Sequence, residues 1–454
     1  MLARKIDKIL DEFFDRKEKK ALLITGARQI GRTFSIREFG KRYPSFVEIN
    51  FLENKTARSL FEEATGSEEI LLRLSMLADT PLVPGETLIF LDEVQECKEM
   101  VTAIKFLVEE GSYQYVLSGS LLGVDLKDIR SVPVGYMDIV EMYPLDFEEF
   151  AVANGVSERV LKVLREAFEK EVEVDSIIHD KMMELFRLYL IVGGMPAVVK
   201  KYLETNNLQE VIREQKSILE AYKKDIGKYD PQNKLYLEDI FELIPSELNS
   251  KNKRFILKNL NENFKFSRYS NSFVWLKDAG VALPAFCVEE PKVPLLLSKA
   301  TNLFKLFLAD VGLLAAMYMD NIQIKVLNRE ADINFGSIYE NAAAQELKAH
   351  GFELYYFNSK KQGELDFLVE QGGAVLPLEI KSGKDYSKHA ALNHVLENEH
   401  YRIPKAYVFH NGNVSRKGKV IYYPVYMLMF VQKEEELSNP IYKLDLDVLT
   451  SMRD

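Results

Sequence analysis

The fold of the first part of the chain can be predicted from Gly26-Ala27-Arg28-Gln29-Ile30-Gly31-Arg32-Thr33, which is followed by Phe34. It comes directly after the apolar run ALLIT (21–25). Two glycines at this spacing let a loop curl so that its N–H groups face a phosphate, and the helix that begins there adds positive potential. The stretch therefore predicts a strand, a phosphate-binding loop and a helix, with residues 26–34 contacting the nucleotide ATP.

Arg32 departs from the usual loop pattern G-x-x-x-x-G-K-[ST], which has lysine at this position. Both side chains carry a positive charge to the β- and γ-phosphates, but arginine is a wide planar fork and lysine a compact point charge. The sequence thus predicts nucleotide binding and leaves hydrolysis open. The alternative is a glycine turn with a surface arginine. Within the predicted loop, Thr33 is the expected Mg²⁺ ligand.

Two acids end a second apolar run, ETLIFLDE (86–93). An apolar strand that ends in acids is typical of the magnesium-binding strand of P-loop proteins. We expect Asp92 to hold Mg²⁺, directly or through water, and Glu93 to orient and activate the attacking water. The alternative is a buried strand that meets an acidic turn.

Further strands are predicted in SFVEINF (45–51) and YQYVLSGS (113–120). Strands that alternate with helical stretches are typical of a parallel α/β sheet. The later strand ends in small polar residues, and the hydroxyl of Ser118 or Ser120 is a candidate contact to the γ-phosphate or the attacking water. A simple strand-to-loop turn is the alternative.

The motifs GARQIGRT, LIFLDEVQE, VLSGSLLG and MYPLDFEEF occur in this order, and LYLIVGGMPAVVKKYL follows them. Together they resemble the AAA+ ATPase domain of a widespread prokaryotic family of uncharacterised ATPases. The resemblance covers nearly the whole chain and implies an α/β protein with four regions. These are a P-loop AAA+-like parallel sheet domain (1–150), a helical lid (151–225), a winged-helix-like module (226–325) and a C-terminal restriction-endonuclease-like α/β domain (326–454).

Because AAA+ relatives often form rings, the resemblance also implies a homo-oligomer as a candidate state. Arg130 is then the nearest candidate for a residue that reaches a neighbour's nucleotide, and a plain surface charge is the alternative. In the third region, basic residues are candidates for contacts with DNA phosphates: Lys251, Lys253, Arg254, Lys258, Lys265 and Arg268, with Tyr269 nearby. Acidic residues interleave with them, so a module packed between domains is the alternative.

The last region contains Glu340 in the predicted helix SIYENAAAQELKAH, Asp366 in GELDFLVE, and Glu379 and Lys381 in LEIKSG. This order resembles the PD-(D/E)xK nuclease fold. Alternation along a strand puts Glu379 and Lys381 on one face. We expect Asp366 and Glu379 to bind Mg²⁺, Lys381 to position an attacking hydroxide and Glu340 to complete the site. The alternative is an ion pair at the domain surface.

Composition sets limits on the function. The chain has 454 residues and a net charge of -10, which argues against a protein coated in positive charge but leaves DNA binding by one face open. No apolar run reaches the length of a membrane span, and the two cysteines fit a reducing compartment, so we predict a cytoplasmic protein without a membrane segment.

Three functional hypotheses follow from these motifs. The first is a Mg²⁺-dependent ATPase whose cycle moves or regulates the later domains. The second is a metal-dependent DNA nuclease for which the nucleotide is a switch. The third is a nucleotide-bound, non-hydrolysing scaffold for DNA or protein binding, which the arginine at position 32 makes plausible.

Overall fold

The structure is a computed structural model, and it describes residues 2–16, 18, 20–61, 66–119, 135–229, 234–250, 253–255, 272–273, 275–318, 322–327, 335–383 and 385–433. Within these ranges, one β-sheet is formed by the N-terminal part of the sequence and a second by the C-terminal part, and helices pack around and between them. None of the helices in these ranges is long and apolar enough to cross a membrane.

Among the described residues, the N-terminal sheet has five parallel strands in the order β2-β3-β4-β1-β5. Their bounds are β1 (Ala21–Thr25), β2 (Ser45–Asn50), β3 (Thr87–Asp92), β4 (Gln114–Ser118) and β5 (Met137–Glu141). The four strands predicted from the sequence are confirmed. Since β4 lies between β1 and β3, its last residue comes between the loop after β1 and the acids at the end of β3.

Helices cover this sheet because each buries an apolar stripe. In the first helix, Ile6, Leu10 and Phe13 are buried at helical spacing. The bounds are α1 (Lys5–Asp15), α2 (Arg32–Gly40), α3 (Lys55–Phe61), α4 (Ser67–Leu77) and α5 (Lys98–Glu110). Helix α2 begins directly after the glycine-rich loop, as the sequence predicts.

The middle of the chain is helical. Its helices are α6 (Phe147–Ala153), α7 (Glu158–Lys170), α8 (Ser176–Val192), α9 (Pro196–Thr205), α10 (Leu208–Tyr229) and α11 (Lys234–Asn249). The break between α8 and α9 needs glycine, since a Cβ on Gly194 would lie 2.0 Å from the carbonyl oxygen of Leu145. The chain therefore turns tightly here, and Pro196 starts the next helix.

The C-terminal sheet is mixed and, within the described residues, has the order β12-β13-β11-β10-β9-β8-β6-β7. The strands are β6 (Ala282–Val288), β7 (Lys299–Leu308), β8 (Tyr355–Ser359), β9 (Gly363–Gln371), β10 (Ala374–Ile380), β11 (Ala406–His410), β12 (Ser415–Lys417) and β13 (Val420–Pro424). The helices of this region are α12 (Val311–Met317), α13 (Ile322–Leu327), α14 (Gly336–Ala349) and α15 (Ala390–Glu397).

Two strands of the region interpreted as a winged-helix-like module, β6 and β7, belong to this sheet. β6 pairs antiparallel with β7 and parallel with β8. The boundary predicted at residue 326 therefore separates strands of one continuous sheet. β6 is buried over most of its length, and the sequence of such a strand does not reveal which strand it pairs with.

The regions share an apolar core. One cluster of buried side chains runs from Ile6 in α1 through the helical middle to Val431 near the end of the described chain. A second cluster fills the other face of the N-terminal sheet, and a third lies beneath α15. Because the first cluster is continuous, the candidate sites at the two sheets are joined by packed helices.

Candidate functional site

The loop after β1 has the backbone that the two glycines predict. Gly26 and Gly31 have φ values of 134° and 94°. A Cβ on Gly26 would lie 2.2 Å from the carbonyl oxygen of Met142, so only glycine fits there. Gln29 also has a positive φ, 65°, which costs free energy for a residue with a side chain. Ala27 and Ile30 are buried and hold the loop against the core.

Contacts from outside the loop set its shape. Arg4 Nη1 donates to the carbonyl oxygen of Ile30 at 2.9 Å. From α10, the hydroxyl of Tyr222 donates to the carbonyl oxygen of Arg28 at 3.1 Å, and Asp225 pairs with the Arg28 side chain at 2.6 Å. The loop is thus preorganised, and α10 is in direct contact with it.

Asp92 lies at the end of β3 and is buried, with 2% of its surface exposed. Thr33 Oγ1 donates to its Oδ2 at 3.2 Å, and the hydroxyl of Ser118 donates to its Oδ1. Asn50 Nδ2 and the backbone N–H of Glu93 also donate, at 3.1 and 3.0 Å. The structure therefore brings together Thr33, Asp92 and Ser118. Burial raises the pKa of Asp92, and the hydrogen bond from Ser118 opposes this rise.

Glu93 follows Asp92 with a left-handed backbone, φ 54° and ψ 47°. This conformation is unfavourable for glutamate and is often found where a side chain is held for function. The side-chain amide of Gln95 donates to the Glu93 carboxylate. The backbone conformation thus sets the direction of the Glu93 side chain, and the hydrogen bond from Gln95 holds its carboxylate.

Arg32 is buried, with 7% of its surface exposed, which contradicts the alternative of a surface arginine. Its guanidinium donates to the carbonyl oxygen of Gly26 and so spans the loop. Burial lowers its pKa, while the charges of Glu93 and Asp92 work in the opposite direction. Phe34, the last predicted loop contact, is 53% exposed.

A second set of predicted residues converges at the C-terminal sheet. Glu340 from α14 and Asp366 from β9 line a cleft of about 220 Å³ with Lys381. Asp366 Oδ2 accepts the backbone N–H of Ile380 at 2.9 Å, and Lys381 Nζ lies 2.6 Å from Glu379 Oε2. Burial raises the pKa of Glu379 to about 8, and the charge of Asp366 adds to the rise.

Two more lysines contact this cluster. Lys305, from β7, is fully buried and lies 3.6 Å from Glu340 Oε2 and 2.8 Å from Glu364 Oε1. Lys253 forms an ion pair with Glu340 Oε1. Lys253 was a candidate for DNA phosphates, but its ammonium faces a carboxylate here. Several other predicted residues lie outside the described part of the chain: Ser120, Arg130, Lys251, Lys258, Lys265, Arg268 and Tyr269.

Sequence reasoning missed Asn50, Gln95 and Lys305. Asn50 could have been found, because it ends a predicted strand and the carboxyl ends of parallel strands meet at one edge. Lys305 had a weaker signal, a lone lysine within the apolar run NLFKLFL. No local sequence signal identifies Gln95, since only the left-handed turn at Glu93 brings its amide next to the Glu93 carboxylate.

A third cluster joins the domains. Asp146, directly before α6, lies near Glu346 of α14 and near His350, which follows that helix, and all three are buried. Lys5 Nζ is 2.5 Å from Asp146 Oδ2, and Glu346 Oε1 accepts the backbone N–H of Phe147 at 2.6 Å. An ammonium group already neutralises Asp146, so we interpret the cluster as a buried polar network between domains.

Three family models match the chain. Residues 18–151 match the AAA domain, residues 183–325 match a domain of unknown function (DUF8612), and residues 335–428 match a domain of unknown function (DUF4143). No curated protein matches the sequence. The N-terminal part of the chain is therefore similar to AAA-type ATPases, as the motifs predicted, whereas the nuclease-like interpretation of the C-terminal part stays a prediction.

Solved structures with detectable similarity include a Walker-type ATPase of Pyrococcus abyssi, at 16% identity and a TM-score of 0.40, covering 70% of this chain and 96% of that one. The Orc1 protein of Aeropyrum pernix in complex with DNA is 12% identical, with a TM-score of 0.26 and coverage of 72% and 91%. The Hsp104–ADP complex of S. cerevisiae is 10% identical, with a TM-score of 0.27 and coverage of 77% and 43%.

Proposed function

We propose that the protein is a Mg²⁺-dependent ATPase of the AAA+ class. The observation that carries the proposal is the contact between the two halves of the site. The first hydroxyl of α2, on Thr33, lies 3.2 Å from the buried carboxylate of Asp92. A phosphate-binding loop and an acidic strand end that meet in this way form one pocket edge at the carboxyl ends of parallel strands.

The residues fit Mg²⁺. Hydroxyl and carboxylate oxygens are the ligands that this hard cation prefers, and Thr33 and Asp92 offer one of each. The described partners of Asp92 are neutral donors, so its charge is not already matched by an ammonium or guanidinium group in direct contact. When bound, Mg²⁺ would neutralise charge on the β- and γ-phosphates of ATP.

The chain's own groups account for the remaining chemistry. Glu93 would accept a proton from the water that attacks the γ-phosphate in line, and its fixed backbone and the amide of Gln95 hold the carboxylate for this role. Ser118 lies between loop and acid and positions Asp92 through its hydroxyl. The N–H groups of residues 26–33 would surround the phosphates.

Arg32 supplies the positive charge that lysine supplies in the usual pattern. Its guanidinium spans the loop to the Gly26 carbonyl, so a bound phosphate has to replace that hydrogen bond. Charge-assisted hydrogen bonds to phosphate are stronger than a bond to a neutral carbonyl, which favours the exchange. Because the fork is wider than an ammonium group, we expect Arg32→Lys to raise ATP turnover.

The test is the variant Glu93→Gln. It should lower ATP turnover at least about a hundredfold and leave ATP binding within about threefold of the wild type, because the amide cannot accept the proton. Glu99→Gln, an exposed residue in the first turn of α5, is the matched control and should leave both quantities unchanged. Turnover that survives in Glu93→Gln contradicts the proposed role.

A second candidate function, a metal-dependent nuclease acting on DNA, is favoured by one observation. Glu340, Asp366 and Lys381 line one cleft, and Glu379 pairs with Lys381. Glu340 lies on α14, Asp366 on β9 and Glu379 on β10, and Lys381 directly follows β10. In this interpretation, DNA is the partner of the C-terminal domain and the nucleotide cycle regulates it.

A further inference from the structure

Two lysines and three acids line the C-terminal cleft among the described residues: Lys253 and Lys381, with Glu340, Asp366 and Asp385. Lys253 pairs with Glu340 Oε1, Lys381 pairs with Glu379, and Lys305 lies 3.6 Å from Glu340 Oε2. A divalent cation that binds Glu340 Oε1 therefore meets an oxygen that is already paired with an ammonium group. Its binding there requires that Lys253 leave.

Lys253 differs from the other two lysines in how it is held. Lys305 has no exposed side-chain surface and belongs to a central part of β7, whereas Lys381 directly follows β10 and hydrogen-bonds through its backbone to Phe409. Lys253 belongs to a short segment after α11, and 21% of its side-chain surface is exposed. Its backbone is left-handed, with φ 47°, which is unfavourable for lysine. Lys253 can leave without opening the sheet.

The carboxylates fit a cation in its place. Glu340 Oε1 is paired with Lys253, while Glu340 Oε2 is buried and accepts no hydrogen bond within the described residues. Asp366 lines the same cleft as Glu340 and Lys253, so both acids are within this cleft for a cation that replaces the ammonium group. Carboxylate oxygens from Glu340 and Asp366 form a donor set that Mg²⁺ or Mn²⁺ accepts.

We propose that Lys253 is a removable plug, whose ammonium fills the divalent-cation position between Glu340 and Asp366 and keeps the C-terminal cleft inactive. The proposal rests on the second candidate function, the metal-dependent one, and adds how that site is regulated. Release of Lys253 opens the cation position, and its return closes it.

The plug is connected to the nucleotide loop through two helices. Tyr222 and Asp225 of α10 contact Arg28 in the loop, and α10 packs against α11. Lys253 follows the end of α11, and its backbone N–H donates to the carbonyl oxygen of Ser250 at 3.2 Å. A nucleotide that shifts Arg28 therefore acts on the helix pair that positions the plug.

The first experiment measures Mn²⁺ binding to the full chain by electron paramagnetic resonance. Lys253→Gln should bind Mn²⁺ at least about tenfold more tightly than the wild type, because it removes a positive charge from the cation position. Lys253→Arg keeps the charge and is the matched control, which should behave as the wild type. Adding Asp366→Asn to Lys253→Gln should abolish the gain.

Other outcomes contradict the plug, the cation site or both. If the wild type already binds Mn²⁺ tightly and Asp366→Asn abolishes that binding, the cation site stands and the plug is wrong. If no variant binds Mn²⁺, both the plug and the cation site are wrong. Neither result affects ATP turnover and its loss in Glu93→Gln, so the two proposals fail separately.

A second experiment needs no substitution at Lys253. Acylation of lysine amines, followed by mass spectrometry, reports the accessibility of Lys253. The reagent should modify Lys253 slowly in the wild type and faster in saturating Mn²⁺. In Glu93→Gln, ATP should also increase its modification. If ATP binds and modification of Lys253 does not change, the connection through α10 and α11 is wrong.

Discussion

The proposed nucleotide site and the C-terminal cleft region both contain buried carboxylates, but they differ in the groups that face those carboxylates. Asp92 accepts hydrogen bonds from neutral hydroxyl, amide and backbone groups. In the cleft, Glu340 and Glu379 face the ammonium groups of lysines. We infer that the order of carboxylates in a motif indicates where a cation fits. We expect the charge of the surrounding side chains to decide whether the cation binds.

The largest expected effect lies at the nucleotide site. Asp92→Asn keeps a side chain that neutral donors can contact but removes the charge that Mg²⁺ needs, so ATP turnover should fall about a thousandfold. The apparent free energy of unfolding should change by only about 1 kcal/mol. A steady-state phosphate-release assay and a urea unfolding curve measure the two quantities. Unchanged turnover would show that Asp92 is not a cation ligand.

The opposite pattern is expected at the cleft, where lysines pair with buried acids. Lys305→Met should destabilise the protein by about 3 kcal/mol, because a buried carboxylate of Glu340 loses a partner. ATP turnover per folded molecule should stay within about twofold of the wild type. Lys277→Met, at an exposed position, is the control for urea unfolding. A stable Lys305→Met protein would show that the pair adds nothing to the fold.

A smaller effect is expected between the two regions, at the start of α12. Asp310 is buried, and its carboxylate accepts the backbone N–H groups of Gly194 at 2.6 Å and Leu313 at 2.9 Å. Burial raises its pKa from 3.8 to about 6, although these hydrogen bonds favour the charged form. Helix α12 packs on both α8 and α14, so this carboxylate lies on the structural path between the sites.

The sign of the pH effect follows from that shift. Between pH 3.8 and 6 the folded chain holds a proton on Asp310 that the unfolded chain releases, so this residue's contribution to stability is lost as the pH rises through about 6. Asp310→Asn lacks this titration. Its apparent free energy of unfolding, relative to the wild type, should rise by about 2 kcal/mol between pH 4.5 and pH 7.5. A difference that does not change with pH would contradict the raised pKa.

Much of the N-terminal half could be predicted from the sequence because its signals are local. A short apolar run bounded by glycine marks β1, and the acids at 92–93 follow a run that is buried along its whole length. The contact between Thr33 and Asp92 follows from these signals, since the loop that leads from β1 to α2 and the end of β3 meet at the same edge of a parallel sheet.

The rest depends on contacts between distant segments. The side chain of Lys253 looked like a DNA contact because the sequence does not show that Glu340 lies beside it. The pairing of β6 with β8 likewise depends on long-range contacts, because both faces of β6 are buried against distant segments. Local patterns predict elements, whereas the partner of a buried charge or strand is set by the whole fold.

The central claim is that the loop at residues 26–33 and the carboxylate of Asp92 share one bound triphosphate. Isothermal titration of ATP into the wild-type chain, with Mg²⁺ and with chelator, tests it most directly. We expect one ATP per chain and at least about tenfold tighter binding with Mg²⁺, and we expect this gain to be lost in Thr33→Val. ATP binding that is equally tight without Mg²⁺, or no heat of binding at millimolar ATP, would contradict it.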